Sequence, residues 1–299
     1  MSTHSLPTAE HRPALAMAEE QARGKPRVRS RLGWAFWLPT IWLAVVLVAA
    51  LGASWLPIHD PLAMDFLYQA GAPNGQYLFG TDDLGRDMFA RAIHGARISL
   101  SVGFFAPLIA LLIGTTLGVT AGYFRGRWEL AVVMYADVSL AFPGIILLLL
   151  LVTYFGSGLL NLMVALGILL VPAYVRVARA NTLTFAQRDF VTAARALGAS
   201  HARILWREIL PNVLLPVLAF SFIIVAIVIV LEGVLSFLGL GVPHPTPSWG
   251  SMISDGRELL GEAPHVSFIP ASVMFLTVLS FNMLGDSLRK ALDTRESRV

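Results

Sequence analysis

Six stretches of this chain are long and apolar enough to cross a lipid bilayer, and no other feature limits the possible fold so strongly. A spanning helix needs about 20 mostly apolar residues. Such runs cover residues 35–56, 98–122, 130–155, 159–175, 213–235 and 267–286. Inside hydrocarbon the backbone must satisfy its own N–H and C=O groups, so each run is expected to be a helix. The expected fold class is therefore an all-α integral membrane protein with six transmembrane helices. Composition agrees, since 56% of residues are hydrophobic and 14% charged, whereas soluble domains carry about 25% charged residues. The third and fourth runs share one uncharged stretch from Val138 to Val175, divided here at Gly156-Ser157-Gly158, and Pro143 predicts a kink in the third.

Charge sets the expected orientation. With the N-terminus in the cytoplasm, segments 1–34, 123–129, 176–212 and 287–299 place six, two, six and four of the 22 Lys and Arg residues inside. Only Arg86, Arg91, Arg97 and Arg257 remain outside, the asymmetry that the positive-inside rule describes. The basic pI of about 9.5 then reflects membrane orientation and not nucleic-acid binding. The resulting layout has a disordered cytoplasmic leader at 1–34, a first membrane helix at 35–56 and an extracytoplasmic loop at 57–97. A five-helix core at 98–288 follows, with a cytoplasmic loop at 176–212, and then a cytoplasmic tail at 289–299. Residues 236–266 form the other large outside loop. Ala50-Leu51-Gly52-Ala53 looks faintly like a processing site, but the apolar stretch exceeds a signal h-region of about 7–15 residues, so an uncleaved anchor is expected.

The cytoplasmic loop contains RDFVTAARALGASHARILWREILPN, Arg188 to Asn212. Asp189 can cap a short helix with Phe190, Ala193, Ala194 and Leu197 on one face. Gly198 can supply the left-handed residue that ends it, and Pro211 can open the next helix. Such a helix-turn-helix offers a small-residue surface suited to another protein's groove. The string resembles the EAA loop of ABC-importer permeases, in which E-A-A, three residues, G, nine residues and I-x-L-P contact the ATPase subunit. Ala193, Ala194, Gly198, Leu210 and Pro211 fall on that pattern, while Thr192 stands where the family often has Glu and Glu208 where it has Ile.

LFGTDDLGRDMFARAIHGARISL, Leu78 to Leu100, reads physically as an amphipathic lead-in helix capped by Asp82 or Asp83, with Gly80 and Gly85 permitting tight turns. As a string it is similar to the G-T-D-x-L-G-R-D…G-A-R-x-S-L signature of dipeptide and oligopeptide permeases. LSFLGLGVPHPTPSWGSM, Leu235 to Met252, and FNMLGDSLRKALDTR, Phe281 to Arg295, carry the same resemblance, with Thr294 in place of a family Pro. Without the family, Pro243, Pro245 and Pro247 predict an extended outside segment, and Trp249 suits an interfacial anchor or a partner contact equally.

A charge at the bilayer centre costs about 2.5–3.5 kcal/mol on insertion scales, so intramembrane carboxylates are functional candidates. Glu232 and Asp286 lie near helix ends, where they are expected to reach water or an Arg such as Arg289. Asp137, several residues into the third span, fits a pore or subunit-interface role and a buried polar contact equally. The chain has no cysteine, its histidines show no metal-ligand spacing, and no acid-base or nucleophile constellation is present, so no catalytic, cofactor or metal site is expected. Its two lysines, Lys25 and Lys290, lie in no Walker A string, so ATP and Mg would bind a separate polypeptide.

The resemblance, from about residue 78 to 295, implies a C-type permease subunit with the type I ABC importer fold, multi-pass in the bacterial inner membrane with both termini cytoplasmic. It implies a homologous permease partner, two ABC ATPases and an extracytoplasmic solute-binding protein. It also implies alternating access coupled through Asp189, Thr192, Ala193, Ala194, Gly198, Leu210 and Pro211. Family substrates span dipeptides, oligopeptides, glutathione-like peptides, nickel complexes and sugars. The competing reading is a stand-alone secondary transporter or channel, for which neither internal pseudo-symmetry nor a chain of intramembrane polar groups is visible.

Overall fold

A computed structural model describes residues 33–296 except Ser157, so the reading of the leader falls almost wholly outside the described residues. The regular elements of the described chain are all helices, with an isolated bridge between Thr81 and Asp87 as its extended pairing. Helix α1 spans Trp34–Gly52 and α2 Met88–Phe124. Helices α3 and α4 span Gly126–Ala141 and Gly144–Phe155, followed by α5 at Leu159–Phe185 and a short α6 at Asp189–Ala196. Helix α7 runs His201–Phe237, α8 covers Trp249–Asp255, and α9 covers His265–Glu296. Helices α2, α5, α7 and α9 are long and apolar enough to cross a membrane, and α3 with α4 would make a fifth span as a bent pair. The apolar α1 is shorter and ends at Gly52, short of residue 56.

Pro143 does more than kink the third span. The chain turns through 94° between α3 and α4, because Phe142 is extended and Pro143 has no N–H with which to continue the ladder. Helix α4 is held by Leu148 and Val152 against α5 and exposes most of its remaining apolar side chains. The division at 156–158 holds: Gly156 has φ 83° and α5 starts at Leu159.

The bundle centres on α2 against α5. Gly114, Gly118 and Gly122 recur every four residues on α2, and a Cβ on Gly118 would lie 2.6 Å from the Val175 carbonyl oxygen. The two backbones therefore approach as closely as small residues permit, which is how helices gain packing energy where water cannot drive association. A second apolar cluster joins α1, α7 and α8 through Val46, Ala50, Ile229 and Trp249, and Val273, Met274 and Val278 of α9 pack against it. The indole N–H of Trp42 on α1 donates to the Thr277 hydroxyl of α9 at 3.1 Å. Arg97 on α2 donates to the Ala50 and Leu51 carbonyls, capping the last turn of α1.

Candidate coupling site

The two motif regions lie at opposite ends of α2. At one end, α6 begins at Asp189, but its cap is Arg188, and no side chain accepts the first N–H groups. Asp189 is thus a first-turn carboxylate favoured by the helix dipole, not the cap that the sequence predicts. Gly198 has φ +79°, as expected, and its N–H donates to the Arg195 carbonyl while that of Ala199 donates to Ala194. That pair of bonds is a Schellman ending, which requires a left-handed residue at this point. A Cβ on Gly198 would meet nothing within 4 Å, so space inside this chain does not exclude a side chain there.

Pro211 stands in the first turn of the regular α-helix Leu210–Phe237, as expected, but the helical run of α7 starts earlier, at Ser200, which accepts the Arg203 N–H. A wide turn over Ile204–Ile209, in which the Leu210 N–H reaches back to the Leu205 carbonyl, precedes the proline. Widening of this kind relieves the clash between a proline ring and the carbonyl four residues earlier. Helix α6 is pinned by Val191, buried with Ile204 and Ile209, leaving Phe190 39% and Leu197 88% exposed with Thr192 and Ala193 on the outer side and Ala194 half-buried. Trp206 on α7 is 68% exposed. Sequence reasoning missed the link to α2: the Tyr123 hydroxyl shares a 2.8 Å hydrogen bond with His201 Nδ1, and the Arg195 guanidinium lies 5.5 Å from the centre of the Tyr123 ring.

At the other end of α2 the Leu78–Leu100 string is not a simple lead-in helix. Asp87, not Asp82 or Asp83, caps α2, accepting the Phe89 and Ala90 N–H groups while its other oxygen meets His59 Nδ1 at 2.7 Å. Asp82 is buried and accepts the Leu84 and Arg86 N–H groups with one oxygen. Its second oxygen takes Arg86 Nε at 2.7 Å and faces Arg91 Nε at 3.2 Å. Both arginines are almost fully buried, so this carboxylate sits between two charges withdrawn from water. Gly85 has φ +75°, and a Cβ there would overlap the Asp65 carbonyl. Thr81 closes the turn, its hydroxyl donating to the Tyr68 carbonyl and accepting the Gly71 N–H.

Three further expectations change at this end. Glu232 is fully buried on α7 and reaches neither water nor arginine. The hydroxyls of Ser236 and Ser248 donate to its Oε1 at 2.9 and 2.7 Å, and that of Ser99 donates to Oε2 at 3.2 Å. Trp249 is no interfacial anchor or open contact surface: it is buried and donates its indole N–H to the Ala92 carbonyl. The 241–248 segment bends and turns instead of running extended. It walls a cavity of about 1060 Å³ with Asp83, Arg86, Ser236, Ser251 and Asp255. Burial pushes the Asp255 carboxyl above the usual range, against the opposing pull of His244 and Arg91.

Asp137 is not buried. Its side chain is 56% exposed and accepts a 2.7 Å charge-assisted bond from Arg176 of α5, itself 58% exposed. Asp286 is exposed, but α9 continues ten residues beyond it to Glu296, so it lies within the helix and not near the helix end that the sequence predicts.

Comparison with known proteins accounts for this arrangement. Residues 114–298 match the family described as binding-protein-dependent transport system inner membrane component. The glutathione transport system permease protein GsiD of Escherichia coli O6:K15:H31 is 42% identical over 256 residues, covering 85% of this chain and 84% of that protein. GsiD of Shigella boydii serotype 4 matches to the same extent. Among solved structures, two crystal forms of the inward-facing MetNI methionine ABC transporter align with TM-score 0.57 and 20% identity, over 68% of this chain and 97% of theirs. The chain is thus an all-α membrane protein with the type I permease fold, and it belongs to the family of binding-protein-dependent inner-membrane transport components, the permease subunits of ABC importers.

Proposed function

We propose that this chain is one half of the membrane pore of an ATP-driven importer of peptides or comparable small solutes, paired with a homologous permease. Two cytoplasmic ATPase subunits bind ATP and Mg, and an extracytoplasmic binding protein delivers the solute. The carrying observation is the geometry of α6 and α7: a short helix with exposed Phe190, Thr192, Ala193 and Leu197 turns at Gly198 directly into a helix long enough to span the membrane. A groove on the ATPase that grips α6 would move α7 with it, so nucleotide-driven closure shifts the pore between outward- and inward-open states. Asp189, Thr192, Ala193, Ala194 and Gly198 form the docking helix and its end, and Leu210 and Pro211 carry motion past the wide turn. The chain itself performs no covalent chemistry.

Both termini and α6 lie in the cytoplasm, with the Asp82 region and α8 outside, a placement supported by the distribution of Lys and Arg. Asp137 and Arg176 line the pore or the seam with the partner permease. The relatives named for glutathione make a glutathione-type peptide the first substrate to examine. The test is co-purification: a tagged chain expressed with its neighbouring subunits should retain ATPase activity and drive ATP-dependent glutathione uptake in proteoliposomes. Because the chain has no cysteine, Ser200→Cys and Glu258→Cys should each be labelled by an impermeant maleimide, from opposite faces. Absence of an associated ATPase, or labelling of both sites from one face, would sink the reading.

A further inference from the structure

The buried carboxylate of Glu232 has no part in the scheme above, and its surroundings are unusual for a membrane helix. It is fully buried, and three hydroxyls from three separate segments converge on it: Ser99 from α2, Ser236 from its own helix α7, and Ser248 from the cap of α8. Each hydroxyl that crosses to another segment is itself oriented by an α8 backbone group. The Trp249 N–H donates to Ser99 Oγ at 3.1 Å, and the Ser251 N–H donates to Ser248 Oγ at 3.0 Å. The first-turn donors of α8 are therefore relayed through two serines onto one carboxylate. Behind the polar contacts, the Gly250 Cα faces Gly233 of α7 so closely that a Cβ on Gly250 would lie 2.6 Å from it.

We infer that Glu232 is a positioning residue of the transport cycle, fastening α8 to α2 at Ser99 and to the outer end of α7 so that outer helix and membrane helices move as one body. The inference rests on the permease reading and extends it from the inner to the outer face. Helix α7, with Glu232 near its outer end, continues without a break to His201, three residues beyond Gly198. Helix α2, carrying Ser99, sets Tyr123 of its last turn on the same His201. Both helices that Glu232 ties to α8 therefore terminate on the coupling segment, and a displacement of α6 reaches α8 through two parallel rods. Ser236 and Ser251, members of this network, also line the outer cavity, so its wall shifts with them. A hydrophobic side chain of similar volume could fill the space but could not orient the two serines that hold the cap of α8.

The experiment uses the complete complex in proteoliposomes, with Ser254→Cys on α8 as a reporter for impermeant maleimide. In the otherwise wild-type complex, trapping with ATP, Mg and vanadate should change the labelling rate several-fold. Glu232→Ala should retain assembly and basal ATPase yet lose the nucleotide-dependent change, because α8 no longer follows α7. Glu232→Gln, which keeps an acceptor for two of the hydroxyls, should restore most of it. A variant that merely loosened packing would alter labelling equally with and without nucleotide. If Glu232→Ala fails to assemble, Ser236→Ala with Ser248→Ala takes its place with the same expected loss. A nucleotide-dependent change of wild-type size in the variant that assembles overturns the inference. No such change in the complex without a substitution at Glu232 would instead count against the permease reading itself.

Discussion

Tyr123 closes α2 against the first residue of α7, its hydroxyl 2.8 Å from His201 Nδ1 and its ring under the Arg195 guanidinium of α6. Three segments thus meet on one phenol. Tyr123→Phe keeps the ring but deletes a hydrogen bond worth about 0.5–1.5 kcal/mol. Transport per ATP hydrolysed should fall by up to about tenfold while expression holds. Paired uptake and phosphate-release assays would measure this, and an unchanged ratio would show that the contact is not used.

Gly198→Val places a β-branched residue at φ +79° in a Schellman ending. The local cost is about 1–3 kcal/mol, and no neighbour obstructs the new side chain within the chain itself. Insertion should therefore persist while ATPase pull-down falls. Wild-type pull-down and transport would mean that α6 is not the docking helix.

Asp82→Ala leaves Arg86 and Arg91 buried without their shared carboxylate. Breaking a buried pair by removing one partner costs about 3–5 kcal/mol, so the detergent-solubilised complex should lose thermal stability sharply. Asp83→Ala is the control: its side chain is exposed and lies 3.5 Å from Arg86, an arrangement worth about 0–1 kcal/mol. Equal effects of the two substitutions would contradict the assigned geometry.

Gly118→Leu should separate α2 from α5, since even a Cβ meets the Val175 carbonyl at 2.6 Å. Overpacking of this kind costs about 1–3 kcal/mol or more. Limited proteolysis should cleave the variant faster than Gly144→Ala, whose added Cβ meets nothing within 4 Å.

Asp137→Asn removes an exposed ion pair with Arg176, so stability should change by no more than about 1 kcal/mol. Transport should fall at unchanged complex yield if the pair faces the pore or the partner permease. Full uptake by this variant would remove Asp137 from the pathway.

The membrane helices were legible because hydrocarbon accepts little except about 20 apolar residues in helical form. Gly198 was legible too, since the chemistry of a left-handed ending is local. The cap of α2 is not legible in the sequence, because Asp82, Asp83 and Asp87 are each competent caps, and only the burial of Arg86 and Arg91 decides that Asp82 is needed elsewhere. Sequence places Glu232 at a wet helix end, because its three serine donors come from positions 99, 236 and 248. No window along the chain brings those together. The Gly114, Gly118 and Gly122 spacing is local, but a four-residue repeat of glycine does not by itself say which helix packs against it. Pro143 announced a kink, but a turn of 94° depends on Phe142 adopting an extended backbone, which sequence does not reveal.

That turn bears on how the protein is made. At the junction of α3 and α4 the backbone leaves its ladder, Phe142, Pro143 and Gly144 are exposed, and no side chain caps the start of α4. Fatty acyl chains offer nothing to unpaired carbonyl and amide groups, each of which costs several kcal/mol in hydrocarbon. Synthesised alone, the chain would leave that junction facing lipid wherever α3 and α4 cross the membrane as a bent pair, so assembly beside a partner that covers it is the expected outcome.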